Sequence, residues 1–195
     1  MKKIILLFFV CFSADLLAQK SFFGADGGVN VANQRVRSSY GNITTTSFYE
    51  NSVQPTFGVF YHRSFSELFA IRVNAQYMGL GYKNPNADNL DIGYLTFPVT
   101  LHYVANKHLS LNAGAYLSFT VGGTKVNNEI ITKTYHKNDF GLSFGAEHDL
   151  FKNLALSVNY FIGTKNIWLD DQGGNLKFTN RALQFGLIYK FKKTS

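Results

Sequence analysis

The side chains most able to do chemistry are four charged residues, Asp26, Arg72, Glu147 and Lys190, each set in a stretch of regular alternation. They share a face with Asn30, His62, Asn74, Gln76, Asn112 and Asn159. A hydrated row of such groups would carry ions or protons. A packed set would lock elements together, because charges taken out of water must pair to offset their desolvation. The second use is the expected one, with Asp26, Arg72, Asn74 and Glu147 as a polar cluster in which Arg72 meets Glu147 or Asp26.

Other chemistries find little support. His62, His102, His108, His136 and His148 are scattered, with neither an H-E-x-x-H motif nor a helical i,i+4 pair, so no metal site is expected. No G-x-S-x-G is present and no Ser/His/acid set assembles from spacing, so no catalytic residue and no enzyme is expected. Gly27-Gly28, Gly122-Gly123 and Gly173-Gly174 lack the Lys-Ser/Thr of a phosphate cradle, and no cofactor is expected. The chain carries 19 Lys+Arg against 12 Asp+Glu, a formal charge of +7, spread over Arg35, Arg37, Lys125, Lys133, Lys137, Lys165 and Lys177 among others. Without a basic stripe or a reading motif, a nucleic-acid partner is excluded.

The elements that must position these groups are strands. The 195 residues suit one domain, and 19 Phe with 11 Tyr favour β-structure. Period-2 alternation recurs eight times. Its apolar positions are Phe23 to Val31, Phe57 to Tyr61, Phe69 to Tyr77, Leu95 to Tyr103, Leu109 to Leu117, Phe140 to Ala146, Leu154 to Ile162 and Leu183 to Phe191. Phe60, Phe161 and Ile188 break the polar side of three of them. Pro98 removes a ladder donor inside the fourth strand, so a bulge or a local break is expected there.

Before the first strand, Lys2-Lys3, the apolar run Ile4–Phe12 and the small residues Ala14 to Ala18 form the layout of a secretory signal peptide over residues 1–18. The barrel domain then spans 19–195. Cleavage after Ala18 also removes Cys11, the single cysteine, and leaves a charge of +7 − 2 + 1 = +6.

Connections near 33–52, 83–91, 120–138 and 164–180 read as long and polar, whereas those near 63–67, 105–108 and 149–153 are short. Short turns on one side and long loops on the other fit an outer-membrane barrel whose turns are periplasmic. Strands of about 9–11 residues would suffice to cross at a tilt. Eight strands enclose little more than side chains, and the large alternating set is the apolar one. The Phe/Leu/Tyr face therefore looks at lipid, and the small set (Gly24, Gly28, Gly58, Gly114, Gly141, Gly145, Gly186, Ser118 and Ser143) fills the lumen. The fold class is all-β: an eight-stranded antiparallel up-and-down transmembrane β-barrel with a narrow, side-chain-filled lumen, four long outer loops and short periplasmic turns.

Gln184-Phe185-Gly186-Leu187-Ile188-Tyr189-Lys190-Phe191 resembles the assembly signal on the last strand of outer-membrane barrels, with Gln184, Gly186, Tyr189 and Phe191 at its four positions. The tail Lys192-Lys193-Thr194-Ser195 departs from it, since many such proteins end on the aromatic residue. Phe23 to Asn30, Gly93 to Tyr103 with its Tyr94-Leu95-Thr96-Phe97-Pro98, Ala113 to Leu117 and Asp139 to Leu142 are similar to the PorT-like outer-membrane β-barrel family of the Bacteroidota. That resemblance implies an outer-membrane location and relatives that take part in protein secretion.

The expected partners are outer-membrane lipids, the outer-membrane assembly machinery, and an envelope or secretion protein. Three classes of function follow: a structural or interaction barrel of the cell envelope, linked to a secretion or envelope assembly; a narrow pore; and a lipid-modifying outer-membrane enzyme. Loop aromatics (Tyr40, Phe48, Tyr49, Tyr135 and Trp168) favour the first, because aromatic loop residues serve binding.

Overall fold

The structure, a computed structural model, describes residues 21–40, 43–83, 89–126, 129–131, 136–168 and 176–191. The signal-peptide assignment, Tyr135 and the lysine tail lie outside the described residues. The described strands are β1 (Ser21–Tyr40), β2 (Ile43–Phe48), β3 (Glu50–Ser64), β4 (Phe69–Lys83), β5 (Leu90–Val104), β6 (Leu109–Val126), β7 (Glu129–Ile131), β8 (Asn138–Phe151), β9 (Leu154–Gly163) and β10 (Leu176–Lys190).

Eight of these close a barrel in the order β1-β3-β4-β5-β6-β8-β9-β10, every pairing antiparallel. β10 returns to β1 from Gly24↔Lys190 to Ser38↔Leu176, which leaves no open edge around the wall. That closure is obligatory in lipid, where an unpaired backbone group costs several kcal/mol. β2 and β7 are short additions beyond the barrel, on β1 and β6.

The alternation sets the two faces as expected. Phe23, Phe57, Val99, Leu101, Phe140, Phe144, Val158, Phe185 and Leu187 all point outward and are exposed. Their polar neighbours Thr96, Thr100, His102, Ser143 and Gln184 are buried in the lumen.

Two expectations need correction, and a third is resolved between its two alternatives. First, the strands overrun the membrane: β1 has 20 residues and β6 has 18. Much of the segments 33–52 and 120–138 is strand, not loop, and β10 takes in 176–180 of the segment 164–180. In β2, whose six residues are all exposed, both faces meet water, so alternation fades while ladder pairing continues, helped by β-branched runs such as Thr44-Thr45-Thr46. The paired partner of β1 passes from β3 to β2 with a one-residue step in register at Tyr49, whose N–H donates to Gln34 O at 3.2 Å.

Second, the lumen is not filled by small residues alone. Phe60, Phe161 and Ile188, the breaks in the pattern, all point inward and are buried. They work as packing groups in a barrel whose two ends are apolar inside.

Third, of the bulge or local break expected at Pro98, the structure shows the break and no bulge. The β4–β5 register is the same on both sides of it, at Val73↔Val99 and Gln76↔Thr96, and only the intervening rungs are missing. The ladder to β6 runs through Pro98↔Tyr116 unbroken.

The short turns are built from side-chain acceptors. Asn106 Oδ1 accepts the N–H of His108 and of Leu109, both at 2.9 Å, and Ser66 Oγ accepts Phe69 N–H at 2.9 Å. These are Asx- and Ser-type turns that need no glycine.

Candidate functional site

The lumen has three levels. At the outer end Met78, Leu80, Tyr82, Leu90, Ile92, Ile167 and Phe178 form a buried apolar plug. The sequence reading missed it because the apolar positions of β4 and β5 switch there to the inward face, Met78, Leu80 and Tyr82 alternating with Gly79 and Gly81, and Leu90, Ile92 and Tyr94 with Asp91 and Gly93. Tyr49 stacks on Tyr82 at 3.9 Å between ring centroids, and Trp168 stacks on Phe178 at 5.0 Å. These two loop aromatics, each partly buried, pack against the plug and cap the lumen. Phe48 is exposed.

Below the plug lies a network the sequence reading also missed. Gln34 Nε2 donates to Asn180 Oδ1 at 3.2 Å, and Asn180 Nδ2 donates to Asp139 Oδ2 at 2.9 Å. Asp139 stood next to an expected loop, and only register brings it to Asn180.

The middle level contains the expected cluster. Arg72 (β4) and Glu147 (β8) form a bidentate ion pair, with Nη2 donating to Oε2 at 2.9 Å and Nη1 donating to Oε1. Both are 4% exposed. Asp26 stays apart from this pair and accepts a hydrogen bond from Asn74 Nδ2 at 3.0 Å. The Arg72 guanidinium also lies 4.3 Å from the centroid of the Phe60 ring. Gly24 makes room for that ring: a Cβ there would fall 2.2 Å from Phe60 Cζ.

A second chain of bonds crosses the same level. Asn112 Nδ2 donates to Asn159 Oδ1 at 3.2 Å, and Gln184 Nε2 donates to Thr56 Oγ1 at 2.9 Å. Thr56 Oγ1 in turn donates to Tyr77 O at 3.0 Å. Two cavities at this level measure about 30 Å³ each, and a third of about 120 Å³ runs from Arg72 and Glu147 to Lys190 at the periplasmic mouth. The two small ones have room for a water molecule or two, far short of a continuous path.

At the periplasmic end Phe22, Phe60, Ala155 and Ile188 pack together. His62 and His102 stand beside them, ring centroids 5.4 Å apart. Lys190, the fourth inward charge, pairs with Asp149 near this mouth. His102 Nε2 lies 3.0 Å from Thr100 Oγ1, and its Nδ1 lies 3.9 Å from Glu147 Oε1. The order hydroxyl–imidazole–carboxylate resembles a nucleophile with its base. The second distance is too long for a hydrogen bond, however, and the carboxylate is already held by Arg72. Among the described residues no group of three or more His, Cys, Asp and Glu could hold a metal ion.

The residues of the last-strand motif divide between the faces. Gln184 and Gly186 face the lumen, whereas Tyr189 and Phe191 face outward, 51% and 46% exposed, with their rings in edge contact at 5.7 Å. Phe191 N–H donates to Phe23 O at 2.9 Å and so fastens the end of the chain to its first strand.

A closed antiparallel barrel of eight strands, apolar outside and hydrogen-bonded within, is a transmembrane barrel of the outer membrane. The chain belongs to the outer membrane protein β-barrel domain family, whose profile matches residues 4–191. It is similar in structure to Neisserial surface protein A, at 13% identity over 86% of this chain and 97% of that one, with a TM-score of 0.50. It is also similar to OprG from Pseudomonas aeruginosa (13% identity, 88% and 96% covered, TM-score 0.46). The same holds for Ail of Yersinia pestis (13% identity, 86% and 99% covered, TM-score 0.42). The likeness to Neisserial surface protein A is one of fold. No curated protein matches the sequence.

Proposed function

We propose that this small outer-membrane barrel acts by interaction, holding an envelope or secretion protein at its outer rim, and that it neither conducts nor catalyses. The observation that carries the reading is β2. Its six residues are all exposed, and among the described residues it pairs with β1 alone. Its far edge therefore offers N–H and C=O groups to another extended chain, the geometry of strand addition. Ile43 and Phe48, 71% and 58% exposed, add apolar grip beside that edge.

The lumen speaks against the other two classes. The apolar plug, the Arg72–Glu147 bridge and cavities of about 30 Å³ leave no path for ions. The Thr100–His102–Glu147 arrangement lies inside the wall, where membrane lipid does not reach it. Membership of the PorT-like branch is part of the proposal and rests on Tyr94-Leu95-Thr96-Phe97-Pro98, whose Tyr94 and Pro98 both point into the lumen.

The test is cross-linked purification from native outer membranes of wild type and of a variant whose residues 39–46 are replaced by a two-residue turn. A partner present with wild type and lost from the variant, while the barrel still inserts, supports the reading. The same set of proteins with both contradicts it.

A further inference from the structure

Closing the barrel brings together basic residues that the sequence keeps far apart. On the outward face of the β1–β10 ladder, Arg37 stands opposite Lys177, Arg35 opposite Thr179, and Asn33 opposite Arg181. The four cations Arg35, Arg37, Lys177 and Arg181 line a single groove of about 240 Å³, bordered by Ile162 and Thr164. The positive charge, expected to be spread, is here a patch.

Three features show that this patch is built to meet an anion. No lining residue is acidic, and among the described residues none of the four cations belongs to a salt bridge. Like charges on paired strands repel and destabilise unless a counter-charge joins them. The Nε atoms of Arg35 and Arg181 are buried without a hydrogen-bond partner. Finally, Arg181 is held in place: its Nη1 donates to Tyr160 Oη at 3.1 Å, and its guanidinium carbon lies 5.8 Å from the centroid of the Phe48 ring.

Depth identifies the kind of anion. Below Arg181 on the same face of β10 come Leu183, Phe185, Leu187 and Tyr189, the lipid-facing band. The groove therefore sits at the outer rim of that band, at the level of headgroups in the outer leaflet.

We infer that the groove binds the phosphate of an outer-leaflet lipid, with its acyl chains lying along Leu183 and Phe185. The planar guanidinium fork grips phosphate oxygens in pairs, and Lys177 adds a point charge. A free phosphate ion would meet the same cations but would gain nothing from the apolar band beneath them. The inference does not rest on a protein partner; its one link to β2 is the Phe48 ring beside Arg181.

The test is native mass spectrometry of the protein purified from outer membranes, with bisphosphorylated lipid A, the same lipid dephosphorylated, and inorganic phosphate as competitor. Wild type is expected to retain the phosphorylated lipid at least about tenfold better than the dephosphorylated one. Combining Arg35→Gln, Arg37→Gln, Lys177→Gln and Arg181→Gln is expected to abolish the preference. Removing two charges elsewhere, by Lys107→Gln with Lys152→Gln, should leave it intact. If the fourfold variant does not fold, Arg37→Gln and Arg181→Gln alone should each lower retention several-fold. Equal retention of the two lipids, unchanged retention by the folded variants, or full displacement by millimolar inorganic phosphate would overturn the inference.

Discussion

Arg72 and Glu147 stand 75 positions apart in sequence, on β4 and β8, with β5 and β6 between them in the wall, yet their side chains form a two-pronged bridge across the lumen. A bridge of this kind ties opposite walls together and occupies the section through which an ion would pass. Glu147 meets both terminal guanidinium nitrogens and the Phe60 ring lies against the guanidinium, while the Nε of Arg72 is buried without a partner.

Breaking that bridge from one side leaves a buried, unpaired charge. Glu147→Ala or Arg72→Ala is expected to cost about 3–5 kcal/mol. Replacing both, as Arg72→Met with Glu147→Leu, should cost much less or even stabilise, because no charge then remains to be desolvated. Urea unfolding in detergent micelles measures all three. A double variant as unstable as the sum of the singles would show that the two side chains are not energetically coupled and would contradict the bridge.

The lipid face gives a second expectation. Leu187 lies within the outward apolar band of β10, between Leu183 and Phe191, whereas Phe23 lies near the periplasmic end of β1. Leu187→Arg is expected to cost roughly 2–4 kcal/mol and Phe23→Arg about 0–1 kcal/mol. Unfolding from liposomes checks the contrast, and equal costs would mean that the two sites do not differ in depth.

The extent to which this structure was legible in the sequence depended on range. The alternation from Leu95 to Tyr103 is local, so it gave both the strand and its lipid side. The ring of Phe60 could not be placed by the same rule. An inward aromatic looks like an error in the pattern until Gly24, on the neighbouring strand, is seen to leave space for it. Arg72 and Glu147 could be assigned to the inward face, but their meeting depends on barrel closure and register, which no local pattern encodes. The basic groove was hidden for the same reason: Arg37 and Lys177 are opposite each other only because the last strand returns to the first. Where both faces of a hairpin meet water, as at Thr44-Thr45-Thr46, alternation carries no signal and the strand read as loop.

The last strand allows recognition to be separated from stability. Tyr189 and Phe191 face outward near the periplasmic end, so their loss removes little from the lumen. Replacing both with Ala is expected to reduce insertion in cells far more than stability after refolding in detergent. That result would mark the two rings as the part of the strand read by the assembly machinery. Wild-type insertion would make them ordinary interfacial aromatics.

Closure of the lumen is the property on which an interaction role, in place of transport, depends most directly. Single-channel recording of the purified barrel in planar bilayers measures it without knowledge of any partner. With Arg72 bridged to Glu147 beneath a plug containing Met78, Tyr82 and Phe178, the expected record is a steady baseline with conductance near zero. A stable, ion-selective open level in the wild-type protein would contradict the closed lumen and make the barrel a pore.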